Sequence, residues 1–101
     1  MSRERQRLET HEQRLAIYER DGGICQFCHK PVDINIFTVA HRIAAALWCY
    51  KKWGKEVIDH PLNKACTHPG ACNDGLLVTF RPVEREALVD RILEALDRKL
   101  G

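Results

Sequence analysis

Cys25-Gln26-Phe27-Cys28 and Cys66-Thr67-His68-Pro69-Gly70-Ala71-Cys72-Asn73 are the stretches whose reading decides the fold. Two cysteines separated by two residues can aim both thiolates at one ion from a single tight turn. A second pair from elsewhere in the chain closes a tetrahedral shell, and thiolates suit zinc because that ion is borderline soft. The spacing predicts a structural Zn2+ held by Cys25, Cys28, Cys66 and Cys72, with no coordination position open for catalysis. The second pair is wider apart than usual. His68-Pro69-Gly70 is read as a bulge between its cysteines, and His68 competes for a ligand position.

The rest of the composition agrees with a metal-stapled domain. A chain of 101 residues supports one domain, and a core of that size benefits from a staple. Its five cysteines are an odd number, which argues against a closed disulfide framework. Met1 to Arg7 carries no apolar signal-peptide core, and no apolar run approaches the roughly 20 residues that span a bilayer. The expectation is a cytoplasmic protein with reduced cysteines and no membrane partner. Cys49, between Trp48 and Tyr50, reads as a buried small apolar residue. A redox role for Cys25 and Cys28 calls for a βαβ unit, which the pattern does not offer. A net charge of +2 permits nucleic-acid binding without requiring it.

Outward from the cysteine frame, the N-terminal segment reads as a helix over about 3–21, with Ser2 or the Thr10/Gln13 pair as cap. Asp21-Gly22-Gly23 stops it. Its arginines alternate with glutamates, the mark of a solvated face. Ile34, Ile36, Phe37 and Val39 suggest a strand running into Ala40-His41. Ala44, Ala45 and Ala46 then start a helix over Ile43 to Trp53, ending at Gly54. A second strand is expected around Leu62 to Ala65, and Cys72 opens a short helix carrying Asn73. Pro82 begins a final helix to about Lys99. The apolar face of that helix, Leu88, Val89, Ile92, Leu93 and Leu96, packs either on the core or against a second copy in a homodimer.

Arg20-Asp21-Gly22-Gly23-Ile24-Cys25-Gln26-Phe27-Cys28, followed by His41, Asn63 and Cys72-Asn73, resembles the zinc-bearing HNH endonuclease domains. The likeness covers roughly residues 15–78. It implies a treble-clef ββα-metal core, which with the N- and C-terminal helices read above gives an α+β fold, and the chain length makes it a single domain over 1–101. It also implies metal-dependent hydrolysis of DNA phosphodiesters. His41 would be the general base and Asn63 would orient its loop. Asn73 would bind a catalytic Mg2+ or Mn2+. Arg42, Lys51, Lys52, Lys55 and Lys64 are the expected phosphate contacts.

One position departs from the family pattern. An acidic residue or histidine usually precedes the base and binds the catalytic ion, and Ala40 has only a methyl group. His60 is the first candidate to substitute, with Asp59 and Asp74 behind it. The alternative reading is a catalytically inactive zinc-binding module for nucleic acid or a protein partner.

Overall fold

The computed structural model describes the backbone of residues 10–100 and the side chains of residues 10–98. The first helix, α1, spans His11–Arg20. Thr10 and Gln13 form its capping box, each side chain accepting from the other's backbone N–H. The expected start of this helix near residue 3, and the Ser2 cap, lie outside the described residues. Asp21 ends the helix, and Gly22 and Gly23 follow at φ 67° and 69°. Gly23 is doubly required. Its φ favours glycine, and a Cβ there would lie 2.9 Å from the Tyr18 hydroxyl.

Strands β1, Thr38–His41, and β2, Lys64–Thr67, pair antiparallel, with Val39 opposite Cys66 and His41 opposite Lys64. The expected strand over 34–37 is instead a turn organised by Asp33. Its carboxylate accepts from Asn35 N–H, and its carbonyl accepts from the N–H groups of Ile36 and Phe37. Ile34 and Ile36 are consequently exposed. The second strand begins two residues later than expected because Pro61–Asn63 closes a 3-10 turn, capped by His60 Nδ1 accepting from Leu62 N–H.

The helix expected over Ile43 to Trp53 is shorter. Helix α2 spans Leu47–Trp53, and residues 43–46 remain non-helical despite three alanines. Their backbone has other partners. Ile43 N–H donates to Asn63 Oδ1 at 2.8 Å, Ile43 O accepts from Asn63 Nδ2 at 3.1 Å, and Ala44 N–H donates to Thr79 Oγ1 at 2.9 Å. Alanine's advantage is a few tenths of a kcal/mol per residue over ordinary residues, less than the roughly 1 kcal/mol of each such bond. Gly54, at φ 89°, separates α2 from α3, Lys55–Ile58. Helix α4 spans Ala71–Gly75, and α5 runs Pro82–Leu100.

Two larger apolar clusters result. Ile43, Cys49, Val57 and Ile58 pack with Leu88, Val89 and Ile92 of α5, so the buried side of α5 closes onto its own chain. Ile17, Cys25, Val32, Val39 and Cys66 form the other, beneath α1. Among the described residues, no helix is long and apolar enough to cross a membrane.

Candidate metal centre and polar cleft

The backbone around Cys25 is folded into a knuckle before any ligand is considered. Cys25 N–H donates to Lys30 O and His29 N–H to Cys25 O, with His29 held at φ 66°. Gln26 N–H donates to Cys66 O at 2.9 Å, fastening the knuckle to β2. Phe27 lies against α4, where a Cβ on Gly75 would meet its ring at 2.5 Å. This close approach brings Cys72 to the knuckle.

The donor atoms of Cys25, Cys28, His68 and Cys72 all lie within 4.8 Å of one another, a group able to hold a metal ion. Three of the four expected cysteines are present. The fourth position belongs to His68, and Cys66 stands outside the group. Cys66 is fully buried, facing Val39 across the sheet, and burial with the charges of Asp21 and Cys25 pushes its thiol up to about 11. It stays protonated and apolar at neutral pH, contributing its backbone instead. His68 is preorganised for ligation. Its Nε2 lies 3.1 Å from Pro31 O, so a proton there donates to the carbonyl and leaves the Nδ1 lone pair toward Cys28 Sγ, 3.4 Å away.

The thiols have unequal tendencies to ionise. Burial raises the Cys25 pKa, but the N–H groups of Cys28, His68 and Phe27 and the His68 side chain outweigh it and bring it to about 6. Cys72 goes the other way. Burial, shared hydrogen bonds and the neighbouring charges of Cys25 and Cys28 push it up to about 11. Three thiolates cannot sit this close without a cation to cancel their repulsion.

Cys72 and Asn73 are neighbours on α4, so the same helix that serves the metal group also serves a second place. A cleft of about 210 Å3 is lined by Val39, His41, Ala44, Ala45, Asn73, Asp74 and Leu77. His41 and Asn73 therefore meet in one cleft. Asn63 does not line it. Fully buried behind the loop, it grips both backbone groups of Ile43 and donates Nδ2 to Ile58 O at 2.7 Å. Arg42 N–H also donates to Asn63 O at 2.8 Å, so the chain leaving His41 is pinned by one residue.

Asp59 Oδ1 lies 3.8 Å from His41 Nε2 and accepts from the Tyr50 hydroxyl at 2.7 Å, while Lys55 Nζ donates to Oδ2 at 2.6 Å. Burial alone would raise the Asp59 pKa. The hydrogen bonds from Lys55 and Tyr50 prevail and hold it below the usual carboxylate range. His60, expected as a substitute ligand, instead caps the 3-10 turn. Ala40 packs with Ala65 and Leu76 in a third small cluster.

The expected basic surface is divided. Lys51 and Lys52 are exposed on α2, while Lys55 is drawn to Asp59. Arg42 is half-buried, with its pKa lowered by that burial, and Lys64, 9% exposed, belongs to the interior of β2. The His68 ligand was discoverable, because His68-x3-Cys72 falls within the common second-half spacing of zinc sites. Comparison with protein-family models, curated proteins and solved structures returned no match.

Proposed function

We propose that the chain is an HNH-like endonuclease domain of the treble-clef ββα-metal type, stapled by a structural zinc and hydrolysing DNA phosphodiesters at the His41 cleft. The observation that carries the reading is the convergence of His41 and Asn73 on one cleft, with Asn63 clamping the loop that leaves His41. Each asparagine alone has an ordinary structural explanation, but their combined arrangement matches the roles implied by the sequence likeness.

The zinc assignment rests on donor chemistry and on size. Zn–S and Zn–N bonds of about 2.3 and 2.0–2.1 Å set tetrahedral edges of roughly 3.5–3.8 Å. The 3.4 Å between Cys28 Sγ and His68 Nδ1 needs only a small adjustment to meet that. Four protein donors complete the shell, so the role is structural.

At the cleft, His41 takes the proton from an attacking water, and the ionised Asp59 stabilises the imidazolium that results. Asn73 and Asp74 offer hard oxygen donors suited to Mg2+ or Mn2+. Such an ion, when bound, supplies charge stabilisation for the scissile phosphate and the leaving oxygen.

The burial of Ala40 favours a second reading, a non-catalytic module that binds nucleic acid: Ala40 packs against Ala65 and Leu76 and offers no metal ligand beside His41. Nicking of supercoiled plasmid with Mg2+ or Mn2+, run beside His41→Ala, separates the two. Nicking that disappears in the variant supports the nuclease. Equal nicking by both proteins sinks His41 as the base, and no nicking by either leaves the binding module.

A further inference from the structure

Three aromatic rings stand in a row. Trp53 and Trp48 have ring centroids 5.9 Å apart, and Trp48 and Phe80 are stacked at 6.0 Å with 28° between their planes. The row emerges into solvent. Trp48 is 46% exposed and Phe80, at its end, 83%. A phenylalanine that exposed sacrifices most of the benefit of burial, so nothing in the interior packing accounts for its place.

Cations flank the same row. Lys52 Nζ and the Arg85 guanidinium each lie 5.4 Å from the Trp53 ring centre, and Lys51 is exposed on the same helix. Glu84 is paired with Arg81, and Arg85 is itself paired with Glu86, so Lys51 and Lys52 are the cations that carry the charge of the row. Aromatic faces interleaved with cations fit a chain of bases and phosphates better than an apolar protein surface.

The row is also tied to the cleft. Ala44 and Ala45 line the cleft and Trp48 comes three residues after Ala45, while Leu77 lines it and Phe80 comes three residues after Leu77. The two segments are laced together by Ala44 N–H donating to Thr79 Oγ1 and Val78 N–H donating to Arg42 O at 2.6 Å.

We propose that Trp48 and Phe80 form a base-stacking platform for single-stranded nucleic acid, so that the cleft acts on unpaired or frayed strands in preference to intact duplex. The choice of occupant rests on the nucleic-acid reading of the cleft. The platform itself is tested by binding alone.

The full chain is titrated without added Mg2+ or Mn2+ with a fluorescently labelled oligo(dT) 12-mer and with a labelled duplex of equal length. The readouts are anisotropy and tryptophan emission. The expected result is tighter binding of oligo(dT), quenched emission, and about tenfold weaker oligo(dT) binding by Phe80→Ala, with duplex binding unchanged. Trp48→Ala repeats the test from the other ring. Failure of the wild type to bind oligo(dT), equal affinity for the duplex, or wild-type binding by Phe80→Ala overturns the platform. A dimer that becomes a monomer in Phe80→Ala, seen by sedimentation, assigns the ridge to a second copy and overturns it as well. Phe80-dependent binding without any plasmid nicking leaves the platform standing and removes the nuclease.

Discussion

The metal group and the His41 cleft are neighbours joined through α4, yet they are held in opposite ways. At the metal group, the donor atoms of four side chains gather within 4.8 Å of one another, and the three thiols resist being ionised together. At the cleft, one buried side chain, Asn63, grips backbone on both sides and needs nothing from outside. One end depends on an ion and the other on hydrogen bonds internal to the chain. The difference teaches where this fold is conditional and where it is built in.

The largest test of that contrast is Cys72→Ser. It is expected to abolish metal binding, measured by elemental analysis as a fall from about one ion per chain, and to remove a stabilisation on the order of 10 kcal/mol. Cys66→Ala is the counterpart. It is expected to keep the ion and cost about 1–2 kcal/mol, an ordinary core truncation. If Cys66→Ala loses the metal while His68→Ala keeps it, the ligand set is the one with four cysteines.

Asn63→Ala strikes the other half. It strands Ile43 N–H and the carbonyls of Ile43 and Ile58 in the interior, with an expected loss of about 2–4 kcal/mol in urea unfolding while the metal is retained. Loss of the metal in this variant would mean that the two halves are one cooperative unit.

Acid should separate the halves without mutation. Cys25 ionises at about 6, below the ordinary thiol range, so its contribution to stability is present at higher pH and is lost as pH falls through 6. Cys72, raised to about 11, keeps its proton at neutral pH and must release it when metal binds. Metal affinity is expected to climb with pH, with proton release at pH 7.5 detected by calorimetry in two buffers of different ionisation enthalpy. Asp59 is depressed, so its contribution is present above the normal carboxylate pKa of about 3.9 and is lost as pH falls further. Metal release, followed with a chromogenic chelator, should therefore occur as pH falls from 6 to 4, before the tertiary signal near Tyr50 is lost below about 3.9.

The smallest effect is expected at the joint. Gly75→Ala places a methyl group 2.5 Å from the Phe27 ring, but that ring lies on the exposed knuckle and can swing aside. Gain of helix propensity and cost of crowding should cancel to within about 1 kcal/mol by thermal unfolding.

The knuckle and the termini of α5 were legible because their signals are local: a CxxC, a proline at a helix start, a stripe of leucine and isoleucine. The choice between Cys66 and His68 was harder, since it turns on which residue a four-residue strand directs inward. The alanine run misled for a related reason. Its partners, Asn63 and Thr79, lie far along the chain, and their hydrogen bonds outweigh a preference that adjacent residues alone would express. His41 and Asn73 could be named from their order, but Asp59 beside His41 follows from the 3-10 turn and α3 together. The ridge of Trp48 and Phe80 had no local signal at all.

The bond between Cys28 and His68 spans 40 residues of sequence, and that interval contains β1, α2, α3 and β2. An ion bridging them would close a loop around Val39, His41, Ala44 and Ala45, four of the seven residues that line the cleft. In the chain-entropy picture of a cross-link, closing a loop of that length removes about 4 kcal/mol of freedom from the unfolded ensemble. The metal would then serve the cleft without touching it, by shrinking the space the disordered chain has to search.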